Sequence, residues 1–155
     1  MSDKEQLHFK VGLSGTSSIK QPEFRIMLND HEVLHTSLSN PNNETEFFEF
    51  DTEVAEGSNS LIIELLNKNS TDTVRDQTGN IVSDMLLNID MIEIDDIDIG
   101  TLKWTLSDYR PVYPAEYVAG QKLEESVRNC VNLGWNGRWI LPFQSPFYIW
   151  LLENT

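Results

Sequence analysis

Cysteine, histidine and positive charge are scarce in this sequence, which has one cysteine, three histidines and 11 lysines and arginines among 155 residues. A single cysteine cannot form an intramolecular disulfide. No histidine or basic cluster adjoins Cys130 to activate its thiol, so we predict a small core residue there. With 39% hydrophobic residues the chain can bury a continuous core without disulfides, and we predict one domain over residues 1–155.

The shortage of positive charge limits the partners. Aspartate and glutamate number 25, which gives a formal net charge of −14 and a field that opposes binding to phosphate backbones and anionic membrane surfaces. We therefore expect no nucleic acid and no membrane among the partners, whereas cations, neutral glycans and proteins remain. Long apolar runs are missing as well. None is long enough for a membrane span, and the first ten residues lack the apolar core of an export signal.

Alternation of apolar and polar residues with a period of two is abundant. This pattern is typical of half-buried strands, and turn residues separate the segments at near-regular spacing. Between Met91 and Ile92 the alternation slips by one residue, which predicts a β-bulge. We predict an all-β fold, an antiparallel β-sandwich of jelly-roll type. The predicted strands cover residues 7–13, 23–28, 31–38, 44–52, 60–66, 85–94 and 101–106.

The C-terminal part of the chain is rich in aromatic residues. Residues 107–130 are predicted to form a long loop with many tyrosines and prolines, including a short helix from Leu123 to Cys130. Asn136 and Gly137 give the strongest hairpin signal, because both central residues of such a turn need positive φ. Residues 131–155 are therefore predicted to be an aromatic hairpin and assembly segment.

The final strand is predicted from Phe147 to Leu152, a stretch without any polar side chain. A strand there would place apolar groups on both faces, and a single sandwich covers only one of them. We therefore predict assembly through this segment, as a homo- or hetero-oligomer. The aromatic candidates for contact with a protein partner or a stacked sugar are Tyr109, Tyr113, Tyr117, Phe147, Tyr148 and Trp150.

Residues 31–35, His-Glu-Val-Leu-His, match the short zinc-peptidase pattern H-E-x-x-H. That chemistry needs a helix, in which residues four apart lie within roughly 6 Å of each other. In a strand the two histidines are about 13 Å apart and cannot ligate one ion. Turn residues at 29–30 and 40–41 favour a strand. We therefore predict no peptidase, and no other catalytic constellation is apparent.

The polar stretch over residues 67–84 lies between two apolar strands and contains carboxylates and amides of the kind that bind calcium. Its candidate ligands are Asn67, Asp72, Asp76 and Asp84. The alternative is a hydrated loop in which residues 76–79 form a turn and the other polar groups cap strand ends. The sequence leaves both interpretations open.

Several features occur in a familiar order. They are an alternating strand that ends at Gly15-Thr16, a hairpin over residues 24–33, Glu56-Gly57 before the strand that ends at Asn67, and a polar loop before Met85. In this order residues 7–100 resemble the calcium-dependent xylan-binding carbohydrate-binding modules. The resemblance implies a β-sandwich with an ion and a sugar near Asn67, Asp76 and Asp84. Lys68 stands where those modules favour an acidic residue.

A wider resemblance is carried by residues 79–84, 133–139 and 145–154, in which the chain is similar to uncharacterised proteins of tailed phages of marine cyanobacteria. It implies a virion protein, assembled in the host cytoplasm and in contact with other virion proteins. We expect a non-catalytic head-decoration, neck, tail or fibre-associated protein docked through its aromatic C-terminus. The alternative is a calcium-dependent glycan-binding module for adhesion to host-surface glycans.

Overall fold

Two antiparallel β-sheets pack face to face in the computed structural model, which describes residues 4–16, 20–69, 72, 74–113 and 126–155. The predicted β-sandwich is confirmed. No helix in these ranges is long and apolar enough to cross a membrane. In chain order the elements are β1 (Lys4–Thr16), β2 (Glu23–Leu28), β3 (His31–Ser37), β4 (Glu46–Ala55), β5 (Gly57–Leu65), β6 (Val74–Arg75), β7 (Ile81–Ser83), β8 (Leu86–Ile94), β9 (Ile97–Asp98), α1 (Leu102–Thr105), β10 (Asp108–Pro111), β11 (Val127–Arg128), β12 (Asn132–Leu133), β13 (Gly137–Ser145) and α2 (Phe147–Glu153).

The first sheet has the strand order β12-β8-β1-β4, with β9 beside β8, and the second sheet has the order β11-β10-β13-β5-β2-β3. The short strands β6 and β7 form a separate pair. Alternate residues of each central strand point inward, so the inner faces of the two sheets share one core. The largest fully buried side chains are Trp139, Phe9, Phe24, Phe143 and Phe147.

The hairpin predicted around Asn29 is confirmed as β2 and β3, and Asn29 adopts a φ of 55° in its turn. His31 and His35 lie in the extended strand β3, so the helical pairing that a zinc peptidase needs is not formed. His35 instead places Nε2 2.6 Å from a carboxylate oxygen of Glu23 on the neighbouring strand. The H-E-x-x-H pattern is therefore part of a sheet edge.

The predicted β-bulge is confirmed in β8, but it lies at Asp90 and not between Met91 and Ile92. Leu13 pairs with Ile89, while its neighbour Gly12 pairs with Met91, which leaves Asp90 as the extra residue. One extra residue shifts the alternation by one, so apolar side chains before and after Asp90 both reach the core. The bulge also turns the Asp90 carboxylate toward a groove on the outer surface of the first sheet.

The strand predicted over residues 101–106 is wrong. Residues 102–105 form α1, a single turn that buries Leu102 and leaves Trp104 43% exposed. Leu102 and Leu106 are four positions apart, and this spacing fits one face of a helix as well as one face of a strand. The apolar pattern alone could not distinguish the two.

The hairpin predicted at Asn136-Gly137 is also wrong. The residues before it pair with β8 in the first sheet, and those after it pair with β5 in the second, so the chain crosses between sheets here. Gly137 has a φ of 148°, and a Cβ atom on it would lie 2.3 Å from the carbonyl oxygen of Arg110. The glycine thus permits close approach to β10 and does not form a hairpin turn.

The long loop predicted over residues 107–130 contains two strands, because Asp108–Pro111 forms β10 and Val127–Arg128 forms β11. These strands pair with each other at the edge of the second sheet. The helix predicted from Leu123 to Cys130 is therefore wrong at positions 127–128. Residues 114–125 lie outside the described residues.

The strand predicted at the C-terminus is wrong as well, since residues 147–153 form the helix α2. A stretch without polar side chains has no period that would identify a strand or a helix. Phe147 and Trp150 share one face of the helix and are buried, and the Trp150 ring packs against Phe143 of β13. The outward side of α2 carries Tyr148, Ile149 and Leu152, which are 50%, 55% and 76% exposed.

Candidate functional site

The acidic loop, residues 67–84 between β5 and β8, does not bring its predicted calcium ligands together. Asn67 accepts a 2.8 Å hydrogen bond from the Glu23 N–H and donates a 3.0 Å bond to the Gln21 carbonyl. These bonds connect the end of β5 to the start of β2. The Asn67 amide is therefore engaged in joining two strands of the second sheet.

Two of the predicted aspartate ligands each face a lysine. Asp72 is buried, lies 3.1 Å from Lys20 Nζ and accepts a 2.7 Å bond from the N–H of Asn69. Asp84 accepts a hydrogen bond from Lys68 Nζ. An adjacent ammonium group compensates the charge of each carboxylate, which reduces its attraction for a divalent cation.

Asp76 forms a turn of its own. Its Oδ1 accepts hydrogen bonds from the Thr78 hydroxyl at 2.7 Å, the Thr78 N–H at 2.9 Å and the Asn80 N–H at 3.0 Å. These bonds, the one from the Thr78 hydroxyl foremost, hold the pKa of this exposed carboxyl below its ordinary value. The turn predicted over residues 76–79 is confirmed by a 3.1 Å bond from the Gly79 N–H to the Asp76 carbonyl.

Lys68 lies at the centre of a compact polar cluster. Its side chain has no exposed surface, and its Nζ donates to the Asp84 carboxylate and, at 2.9 Å, to the Met85 carbonyl. The same Nζ lies 5.3 Å from the centroid of the Trp135 ring. The Lys68 backbone is held too, because Asn136 bonds to both its N–H and its carbonyl, at 2.7 and 3.0 Å.

The acidic loop does not fit a calcium ion with the residues that the structure describes. In those residues no group of three or more histidine, cysteine, aspartate or glutamate side chains is placed to hold a metal. Calcium takes roughly six to eight oxygen ligands around one point. Here Asp72, Asp76 and Asp84 do not form such a group, and the Asn67 amide is engaged between β5 and β2.

A polar groove of about 540 Å³ lies on the outer face of the first sheet. β1, β8 and β12 supply outward-facing residues of its floor, and Asn43 and Thr45 come from the segment before β4. Amide and hydroxyl side chains predominate, with one carboxylate and one apolar residue. The lining residues are Ser14, Thr16, Asn43, Thr45, Leu86, Asn88, Asp90 and Asn132.

Asn88 organises the floor of this groove. Its Nδ2 donates to Ser14 Oγ at 3.3 Å and to Thr16 Oγ1 at 3.2 Å, while its Oδ1 accepts a 2.8 Å bond from Asn132 Nδ2. Nearby, Thr45 donates a 2.9 Å bond to the Asp90 carboxylate. A carboxylate has about four acceptor sites and a hydroxyl has two, so these oxygens can accept further hydrogen bonds from a ligand.

An exposed aromatic ring adjoins the groove. Phe47 of β4 is 50% exposed and pairs with Gly12, whose missing side chain leaves room for it. A Cβ atom on Gly12 would lie 3.0 Å from Thr45 Cγ2 and 3.1 Å from Phe47 Cε1. The ring therefore lies next to a residue that lines the groove. The Lys10 ammonium, 4.8 Å from the ring centroid, supports it.

Charge is unevenly distributed over the outer face of the first sheet. Away from the groove, His8 bridges Glu49 at 2.9 Å and Asp51 at 2.8 Å. Hydrogen bonds to Glu49 and then Asp51 raise the pKa of His8 above its ordinary value. The groove half carries neutral amides and hydroxyls, with Asp90 as its one carboxylate among the lining residues.

The predicted aromatic site residues occupy different environments. Tyr109 is buried, and its hydroxyl donates to the Trp135 carbonyl and accepts a 3.0 Å bond from the Trp135 N–H. Burial raises the pKa of the Tyr109 phenol well above its ordinary value. Tyr113 packs edge-on against the Trp135 ring at 6.1 Å, and Tyr117 lies outside the described residues. These tyrosines do not form one exposed platform within the described part of the chain.

Phe147 and Trp150 are core residues, so of the C-terminal candidates only Tyr148 presents its ring to the surface. The groove, in contrast, was missed by the sequence analysis. Its signal in the sequence is weak: Ser14, Asn88 and Asn132 are uncharged polar residues at outward positions of their strands.

No protein-family model matches the chain, and no curated protein is similar to it in sequence. Two solved structures are similar in fold. One is the carbohydrate-binding module vCBM60 in its selenomethionine form, from work linking two families of calcium-dependent carbohydrate-binding modules. It has 12% identity and a TM-score of 0.56, over 87% of this chain and 89% of that one. The other is vCBM60 in complex with galactobiose, with 13% identity and a TM-score of 0.52, over 86% of this chain and 96% of that one.

Proposed function

We propose that the protein is a non-catalytic carbohydrate-binding domain that holds a neutral glycan in the groove on the outer face of the first sheet. The observation that carries this proposal is the floor of amides and hydroxyls centred on Asn88, with the exposed Phe47 ring beside it. The fold, which is similar to that of a carbohydrate-binding module, supports the same function.

The chemistry of the groove matches that of a sugar. A pyranose presents hydroxyl groups around its edge, and these pair with polar groups that keep unused hydrogen-bonding capacity, as the exposed Asn132 amide and the Asp90 carboxylate do. Its C–H faces are apolar and pack on an aromatic ring such as Phe47. The scarcity of charge among the lining residues disfavours an ionic ligand and favours a neutral glycan.

The test is isothermal titration of the full chain with a panel of neutral oligosaccharides that includes galactobiose and xylo-oligosaccharides. For a sugar that binds, Phe47→Ala should weaken binding roughly tenfold through lost ring contact. Tyr148→Ala is the matched control, because Tyr148 is equally exposed but lies on α2. Equal affinity of wild type and Phe47→Ala would contradict the proposed site.

Calcium-dependent glycan binding at the acidic loop is the alternative from the sequence, and the similarity to calcium-dependent modules supports it. Such a site would lie in the acidic loop and not in the groove, and it would require calcium. The same titration in EDTA and in calcium separates the two: binding at the groove persists in EDTA, whereas binding through a loop-bound ion is lost.

A role in a phage particle is a second proposal, and it is compatible with glycan binding. The sequence resemblance supports it, and so does the exposed apolar side of α2, formed by Tyr148, Ile149 and Leu152. Mass spectrometry of purified virions should detect the chain. Light scattering should show an oligomer that Leu152→Asp disrupts, and a monodisperse monomer at high concentration would argue against docking through α2.

A further inference from the structure

We propose that the buried ammonium group of Lys68 takes the place of a bound divalent cation in this sandwich, so that the fold needs no calcium. This inference does not depend on glycan binding, since it concerns how the acidic loop is held. The acidic loop is rich in carboxylates, yet the side chain of Lys68 at its start has no exposed surface.

An ammonium group without contact to water must have partners for its three protons. Lys68 Nζ finds them in three different parts of the chain: the Asp84 carboxylate, the Met85 carbonyl and the face of the Trp135 ring. The carboxylate and the carbonyl are groups that also bind hard cations. The positive charge is therefore supplied by the protein itself.

The Lys68 ammonium group lies where a structural ion would connect separate segments of the chain. It joins the end of β5, the start of β8 and the segment that crosses between the sheets, and Asn136 holds the Lys68 backbone at the same point. Asp72 repeats the arrangement nearby, because its buried carboxylate is compensated by Lys20 Nζ at 3.1 Å. A calcium ion at either carboxylate would have to compete with an ammonium group already in contact.

The first test is thermal unfolding of the wild-type chain in EDTA, in millimolar calcium and in magnesium at the same concentration. Magnesium controls for the general effect of divalent cations on a chain with a net charge of −14. The midpoint in calcium should match the midpoint in magnesium within about 1 °C, because a ligand without a specific site on the folded state adds no stability beyond that general effect. A midpoint that rises in calcium beyond its value in magnesium would overturn the proposal.

The second test compares Lys68→Met with Lys103→Met. Lys103 also contacts a carbonyl, that of Gly100 at 3.1 Å, and an indole, that of Trp104, but it is only half-buried and has no carboxylate partner among the described residues. Lys68→Met should lower the midpoint by roughly 10 °C or more, and Lys103→Met by about 3 °C or less. Equal midpoints for the two variants would refute the structural role of Lys68. If Lys68→Met does not fold, the wild-type comparison decides alone.

Discussion

The acidic loop and the groove are both polar regions, yet they use their polar groups differently. In the loop, the carboxylates of Asp72 and Asp84 each contact a lysine. The carboxylate of Asp76 accepts hydrogen bonds from backbone and side-chain groups of its own turn. In the groove, Asn132 and Asp90 line an open surface and have capacity for further hydrogen bonds. A dense run of carboxylates therefore does not by itself identify a binding site. What matters is which groups remain available after the chain has satisfied its own structure.

The largest effect on stability outside Lys68 is expected at Asn136, on the loop side of the comparison. Asn136→Ala removes both hydrogen bonds to the Lys68 backbone and should lower the free energy of unfolding by about 2–3 kcal/mol. Denaturant titration measures this loss. Glycan affinity should be unchanged, and a parallel loss of affinity would show that the two regions are not independent.

Asn88→Ala tests the groove side. It removes the donor to Ser14 and Thr16 and the acceptor for Asn132, so affinity for a bound oligosaccharide should fall roughly tenfold or more. The free energy of unfolding should also fall, by about 1–2 kcal/mol, because the Ser14 hydroxyl that loses its partner is buried, whereas that of Thr16 stays partly accessible to water. Loss of stability without loss of affinity would reverse the assignment of this region.

Asp76→Ala sharpens the comparison with a smaller effect. The Asx-type turn that Asp76 makes with Thr78 and Asn80 is exposed, so the unfolding midpoint should fall by no more than about 3 °C. Calcium and glycan titrations of this variant should match those of the wild type. A clear loss of calcium or glycan affinity in this variant would show that the acidic loop is a ligand-binding site.

The smallest effect is a pH dependence in the charged half of the first sheet. The pKa of His8 is raised in the folded state by Glu49 and Asp51, so its contribution to stability is present below the unfolded pKa. That contribution is lost as the pH rises through the higher folded value. The stability difference between wild type and His8→Gln should therefore shrink from pH 5.5 to 8.5, with urea titrations at each pH as the measure. A difference that grows with pH would contradict this sign.

Much of the sandwich could be predicted from the period-two pattern, because a residue such as Phe9 or Ile89 must alternate with outward polar residues wherever one face of a sheet is buried. The bulge in β8 could be predicted for the same reason, although its position at Asp90 could not. The wrong predictions concern segments to which this alternation does not apply. Residues 147–152 have no alternating polar residues that would set a period. At Gly137 the glycine, which predicted a hairpin turn with positive φ, instead permits a close contact with the backbone of β10.

The groove could not be predicted, since its members come from residues far apart in the chain. Ser14 and Asn88 are 74 positions apart, and only the pairing of β1 with β8 brings them together. The partners of the carboxylates in the acidic loop could not be predicted from the sequence either. Lys20 and Lys68 meet its carboxylates through tertiary contacts that no local pattern encodes.

The most direct test is an NMR titration in EDTA with a neutral oligosaccharide that the protein binds. The side-chain amide signals of four asparagines are followed as the sugar is added. Asn88 and Asn132 line the groove, whereas Asn67 and Asn136 hold the acidic-loop end, so all four are the same kind of probe. We predict that the amide signals of Asn88 and Asn132 shift and those of Asn67 and Asn136 do not. Shifts confined to Asn67 and Asn136, and appearing only when calcium replaces EDTA, would contradict it.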